Sequence, residues 1–123
     1  MRSQARHEHF MRLALGEAYR GIHKGEGGPF GACVIMDGRV VAVAHNRVLR
    51  SRNPTLHAEV VAIGRAARRL GTHLLDGCTI YSTTGPCPIA HPVSSTAHVT
   101  ASVNWRPIFP MVCPFPTWTP RFA

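Results

Sequence analysis

The chain has 123 residues, 45% of them hydrophobic, and a formal net charge of +8, which suits one domain around one core and excludes a chain disordered throughout. No stretch reaches the roughly 20 apolar residues of a bilayer span, and Met1 to Phe10 has no apolar signal core, so a cytoplasmic, non-membrane protein is expected. In a reducing compartment Cys33, Cys78, Cys87 and Cys113 are expected as buried, metal-bound or catalytic thiols rather than as disulfides.

Along the chain, Met11, Leu15, Ala18 and Ile22 recur at three- and four-residue spacing, which predicts one apolar face on a helix from about His9 to His23. Gly25, Gly27, Gly28 and Pro29 end it. Phe30 to Met36 is an apolar run suited to a buried strand. Asp37-Gly38 is a two-residue hairpin signal, and Arg39 to Ala44 returns antiparallel. Asn53-Pro54 breaks the chain again. Thr55 is the expected N-cap of a second helix, Leu56 to Leu70, whose apolar positions include Val60, Val61, Ile63, Ala67 and Leu70 and which Gly71 closes. Cys78 to Ser82 is a third strand leading into Thr84-Gly85-Pro86-Cys87. The expected class is α/β, a helix-layered mixed sheet in the order α-β-β-α-β. Cys33 and Cys78 are expected to pack inside strands, and His45 and His73 to be polar residues at loop ends.

The composition changes near Gly85. All six acidic residues stand at or before Asp76, whereas eight of the ten prolines and both tryptophans follow Gly85 with only two basic residues, Arg106 and Arg121. Internal proline removes a donor and clashes with the preceding turn at about 3 kcal/mol, so irregular structure is expected there. The expected division is a folded domain over 1–89 and a Pro-rich, irregular tail over 90–123.

Two short motifs carry the chemistry. His57-Ala58-Glu59, one helix and one strand later followed by Pro86-Cys87-Pro88, has the order of the zinc-dependent base deaminase signature His-x-Glu…Pro-Cys-x-x-Cys. Imidazole and thiolate suit zinc, which lowers the pKa of its bound water to about 7. Glu59 is the expected catalytic acid/base, moving a proton from that water to the ring nitrogen and the leaving ammonia. His57 and Glu59 are both placed in the first turn of the helix. The last cysteine of the signature is replaced by Ala90. His91 and Cys113 are the candidate substitute ligands; His91 is one position late, and a helix turns about 100° per residue. Pro92 is expected to interrupt a helix there almost at its start.

Residues 7–89 resemble the cytidine/deoxycytidylate deaminase superfamily, and most closely its guanine deaminase-like purine deaminases. The resembling residues are Gly27-Gly28-Pro29-Phe30-Gly31-Ala32, His45-Asn46-Arg47-Val48, Asn53-Pro54-Thr55-Leu56-His57-Ala58-Glu59 and Tyr81-Ser82-Thr83-Thr84-Gly85-Pro86-Cys87-Pro88. The resemblance implies Zn2+ on His57 and Cys87, a proton shuttle at Glu59, a purine base held by Asn46 and Phe30, and the hydrolysis of guanine to xanthine and ammonia. It also implies homodimers, built in the family with C-terminal elements that are not recognisable here. The tRNA adenosine deaminases share the His-Ala-Glu and Pro-Cys motifs but look more like Pro-Val-Gly-Ala where this chain has Pro29-Phe30-Gly31-Ala32, which favours a free base as substrate. The +8 charge favours polyanions, but Arg47, Arg50, Arg52 and Arg65, Arg68, Arg69 have no aromatic platform among them, so a solvated basic face is preferred to a nucleic-acid footprint.

Three departures from the pattern stand together: Gly85 where the family carries Glu, Ala90 at the third ligand, and the altered tail. A frameshift from codon 89 on accounts economically for the last two. Deleting the G of ATG in CCC ATG TGC converts Pro-Met-Cys into CCC ATT GC, that is Pro-Ile-Ala, as in Pro88-Ile89-Ala90. Two expectations therefore stand side by side: a zinc hydrolase acting on guanine or a related purine, and a non-catalytic deaminase-fold protein or tRNA adenosine deaminase-like RNA binder.

Overall fold

A computed structural model describes residues 2–83 and 89–104. Helix α1 (Arg2–His23) is followed by β1 (Gly31–Met36), β2 (Arg39–His45), a single turn α2 (Val48–Ser51), α3 (Ala58–Leu70), β3 (Cys78–Ser82), α4 (Ala90–Thr96) and β4 (Ala101–Asn104). The strands form one mixed sheet in the order β2-β1-β3-β4. β1 runs antiparallel to both β2 and β3, and β4 runs parallel to β3 after the α4 crossover.

The central strands alternate between two cores because successive strand side chains point to opposite faces. Ala32 and Val34 of β1 and Cys78 and Ile80 of β3 join Ala62, Ile63 and Ala66 of α3 on one face. Cys33 and Ile35 of β1 and Tyr81 of β3 join Phe10, Met11 and Ala14 of α1 on the other. The sheet thus lies between α1 on one side and α3 on the other. The run from Phe30 to Met36 is continuously apolar because β1 is covered on both faces. Cys33 and Cys78 are fully buried within their strands, as expected.

The hairpin forms where the sequence places it, with Asp37 and Gly38 at φ 51° and 75°, the pair of positive values that a type I′ turn requires. β1 and β2 lose register between Val34 and Ile35 through a bulge.

Several expectations need correction. α1 begins at Arg2 rather than near His9. Its buried stripe is Phe10, Met11, Ala14, Ala18 and Gly21, while Leu15 is only partly buried and Ile22 is 48% exposed. After Phe10 and Met11, small residues let the helix backbone approach the sheet, so burial follows Ala14, Ala18 and Gly21 rather than Leu15 and Ile22. α3 begins at Ala58, and its N-cap is His57, without a side-chain cap bond. Thr55 instead closes an Asx turn, its N–H and Oγ1 both donating to Asn53 Oδ1 at 2.9 and 2.6 Å. Buried α3 residues are Ala58, Glu59, Ala62, Ile63 and Ala66; Val60 and Val61 are half-buried. Gly71 does close the helix, in the left-handed conformation at φ 72°.

Two elements fall within the stretch expected to be irregular. Pro92 is the third residue of α4 and does not interrupt it, because the first-turn N–H groups of a helix have no intrahelical acceptor to lose. Ala97, just past α4, is buried in the α3-side core, and its carbonyl accepts the Leu75 N–H at 2.6 Å. Thr100 donates its N–H to Cys78 O and receives one from Gly77 on Oγ1, which seats β4 beside β3. Residues 105–123, including Cys113, lie outside the described residues.

Candidate functional site

Among the described residues, Asn46 and Phe30 stand at one end of the sheet. Gly31 at the start of β1 is paired with His45 at the end of β2, and Ala32 with Ser82 at the end of β3. Phe30 and Asn46, the next residues out, continue the pairing: Asn46 N–H donates to Phe30 O at 3.0 Å. Thr83 closes the third strand onto the same end, its N–H donating to Gly31 O and its Oγ1 accepting the Gly31 N–H, both at 3.1 Å. β3 therefore delivers the chain into the Pro86-Cys87 segment at the end where Asn46 stands. That segment, residues 84–88, lies outside the described residues.

The α3 start is tied to this end by the backbone. Arg47 N–H donates to Leu56 O at 3.0 Å, so the residue after Asn46 is joined to the residue before His57. His57, at φ −64° and ψ 157°, leads into α3, and its carbonyl accepts the Val61 N–H at 3.0 Å. Glu59, the second helical residue, is 6% exposed. His57 is thus the cap of α3 rather than a member of its first turn.

Asn46 is 6% exposed and held on three sides. Its Oδ1 accepts the Val48 N–H at 3.0 Å, an Asx turn that opens α2. A Cβ at Gly27 would collide with Asn46 Oδ1 and with the Asn46 carbonyl, so the glycine loop lies directly on this side chain. Phe30 is half-buried against the α3-side core, and a Cβ at Gly28 would stand 2.9 Å from its ring.

His45, expected at a loop end, is 5% exposed at the end of β2. Its Nδ1 lies 3.1 Å from Glu17 Oε1 and its Nε2 3.0 Å from Glu26 Oε1. Glu26 also faces Arg47 at 3.7 Å and Arg50 at 3.8 Å, and Glu17 pairs with Arg20 at 3.4 Å. The hydrogen bond from His45 is the main reason the Glu26 carboxyl is held below its ordinary pKa, with the neighbouring cations adding to it. Sequence reasoning missed this group. The signal was Glu17, an acid on the same stripe of α1 as Ala14, Ala18 and Gly21, where an unpaired charge is not tolerated. Of the second arginine cluster, Arg65 is not a solvated side chain: its Nη1 donates to Val43 O on the edge strand at 2.9 Å.

A model of the cytidine and deoxycytidylate deaminase zinc-binding region matches residues 4–103. The chain belongs to that deaminase family. It is 45% identical over 83 residues to guanine deaminase of Bacillus subtilis (strain 168), which covers 68% of this chain and 53% of that protein. It is 46% identical over 80 residues to the tRNA-specific adenosine deaminase of Aquifex aeolicus (strain VF5), covering 65% and 52%. The X-ray structure of guanine deaminase from Bacillus subtilis superposes with a TM-score of 0.77 at 40% identity, over 80% of this chain and 62% of that one. A structure from work on A-to-I editing by tRNA deaminases gives 0.73 at 35% identity, over 77% and 76%. The chain spans about half the length of the curated relatives it matches.

The matched family region binds zinc, so the donor set of this deaminase chain is the test of fit. Among the described residues no three His, Cys, Asp or Glu side chains come together to hold a metal. With Cys87 added from the sequence, the signature positions supply one imidazole, one thiolate and the methyl group of Ala90. Catalytic zinc takes three protein ligands and keeps a fourth position for water, and two donors do not meet that need. His91 is the second residue of α4. Among the described residues no helix is long and apolar enough to cross a membrane.

Proposed function

We propose that this chain is a purine-base-binding deaminase domain of guanine deaminase-like descent whose hydrolytic activity has been lost with the third zinc ligand. The observation that carries the proposal is Ala90 at the place of the signature's last cysteine. Asn46 and Phe30 supply what base recognition needs: an amide that can pair with a base edge and an aromatic ring beside it. Both sit on backbone that is hydrogen-bonded to itself, so this part of the site is formed without the metal. Glu59 keeps the place of a proton carrier between the attacking water and the base. Without a metal-activated water it has no nucleophile to serve.

Guanine rather than an RNA-borne adenine is favoured by the Pro29-Phe30-Gly31-Ala32 sequence and by Glu26, whose carboxylate faces the partly buried Arg47 at 3.7 Å and offsets its charge. The second reading, a tRNA binder, has the +8 charge and the similarity to tRNA deaminases on its side. It predicts tRNA binding that falls steeply as salt rises.

Calorimetric titration of the full chain with guanine, paired with an ammonia-release assay, tests the proposal. The expected result is saturable guanine binding that Asn46→Ala weakens by roughly tenfold or more, about 1.4 kcal/mol, and no ammonia above background. Ammonia release that disappears in Glu59→Ala would overturn the loss of activity. Salt-sensitive tRNA binding without guanine binding would replace the substrate assignment.

A further inference from the structure

We infer that Glu17, His45 and Glu26 form a positioning unit that locks the glycine loop onto Asn46 and so sets the orientation of its side-chain amide. The inference rests on the reading of Asn46 as the base-binding residue. The unit joins three separate pieces of chain. Glu17 comes from α1, His45 ends β2, and Glu26 follows α1 in the loop, its N–H bonded to Gly21 O at 3.0 Å. His45 thus sets each of its two ring nitrogens against a carboxylate oxygen, one from α1 and one from the loop, so the ring ties the two acids together. All three side chains are largely withdrawn from water: 8% exposed for Glu17, 6% for His45 and 14% for Glu26. There is no space in which the ring could turn elsewhere on the α1 side, since a Cβ at Gly21 would stand 2.7 Å from His45 Cδ2.

The link to Asn46 is direct. Glu26 is followed by Gly27, whose α-carbon lies so close to Asn46 that any side chain there would meet its Oδ1 and carbonyl. Glu26 also accepts the Arg50 N–H on its backbone oxygen at 2.9 Å, while its carboxylate faces Arg47 and Arg50. The loop is thereby pinned on both sides of Asn46, to His45 before it and to α2 after it. Releasing the His45 end leaves Gly27 free to lift and the Asn46 amide without its floor. His45, Glu17 and Glu26 are positioning residues, since nothing places them at the base itself.

The test follows the side-chain amide of Asn46 by two-dimensional 15N–1H spectroscopy in the full chain, alongside guanine titration. In His45→Ala the Asn46 amide pair should shift or broaden while signals of the α3-side core, such as Val34 and Ile80, stay in place, and guanine affinity should fall by roughly tenfold or more. An Asn46 signal that does not move in a folded His45→Ala protein overturns the inference. If His45→Ala does not fold, Glu26→Gln is read by the same criteria; it keeps a hydrogen-bonding group at the more exposed end and removes the charge that faces Arg47 and Arg50. Absence of guanine binding in the unaltered protein would refute the purine reading and leave the spectroscopic result to decide the positioning role.

Discussion

Gly27 is the residue at which sequence and site are most tightly coupled, because a single methyl group there has nowhere to go. Gly27→Ala should destabilise the fold by about 1–3 kcal/mol, measured as a lowered urea midpoint, and should weaken guanine binding through Asn46. Two ionisable residues give predictions of opposite sign in pH. The Glu26 carboxyl titrates below its ordinary value of 4.5, so the unfolded chain takes up its proton first on acidification. The stability tied to Glu26 is present above that ordinary value and is lost as pH falls through the lowered folded value, so acid should depress the urea midpoint of the unaltered protein more than that of Glu26→Gln. Burial pushes the Cys33 thiol up to about 12 from an ordinary 9.0. Its stabilising contribution is complete below the ordinary value and drains away as pH rises toward 12, and Cys33 should resist thiol reagents until the protein unfolds. His45 shows why such sites escape a sequence reading. Its two partners lie 28 and 19 residues away in sequence, and only the fold brings them to one ring.

Elements were legible where the local signal and the tertiary result agree. The Asp37-Gly38 turn needs two positive φ values and receives them, and β3 spans Cys78–Ser82 as its β-rich composition implies. Helix phase was less legible. Apolar spacing picks out Met11 and Ala18, which are buried, but also Leu15 and Ile22, whereas the sheet is approached through Ala14, Ala18 and Gly21, whose value lies in being small. The start of α3 was displaced because Asn53 captures Thr55 for its own turn, leaving His57 as the cap. Gly71→Val tests the other end of that helix. Nothing crowds Gly71, so the full cost, about 1–2 kcal/mol, is that of holding an L side chain at φ 72°, and it should appear as a shift in the urea midpoint with an unchanged slope. α4 and β4 were hidden by a proline-rich composition that signals breakage, although Pro92 falls in the first turn, where proline is tolerated.

At the scale of the molecule, a deaminase sheet and its helices position Asn46, Phe30, His57 and the approach to Cys87 at one end, and Ala90 at the third-ligand place leaves the zinc ligand set one short. Both described cores are assembled from apolar side chains, with neither His57 nor Glu59 among them. The frameshift origin of the tail is tested by the coding DNA: read in the neighbouring frame past codon 89, it should encode a deaminase-like C-terminal part with a cysteine at the third-ligand place. The central claim is tested most directly by the zinc-to-protein ratio of chelator-washed full chain, measured beside Ala90→Cys. The account predicts a ratio well below one for the unaltered chain and a ratio near one when the thiol is returned. A ratio near one in the unaltered chain would contradict it, and would mean that His91, Cys113 or a partner chain completes the site.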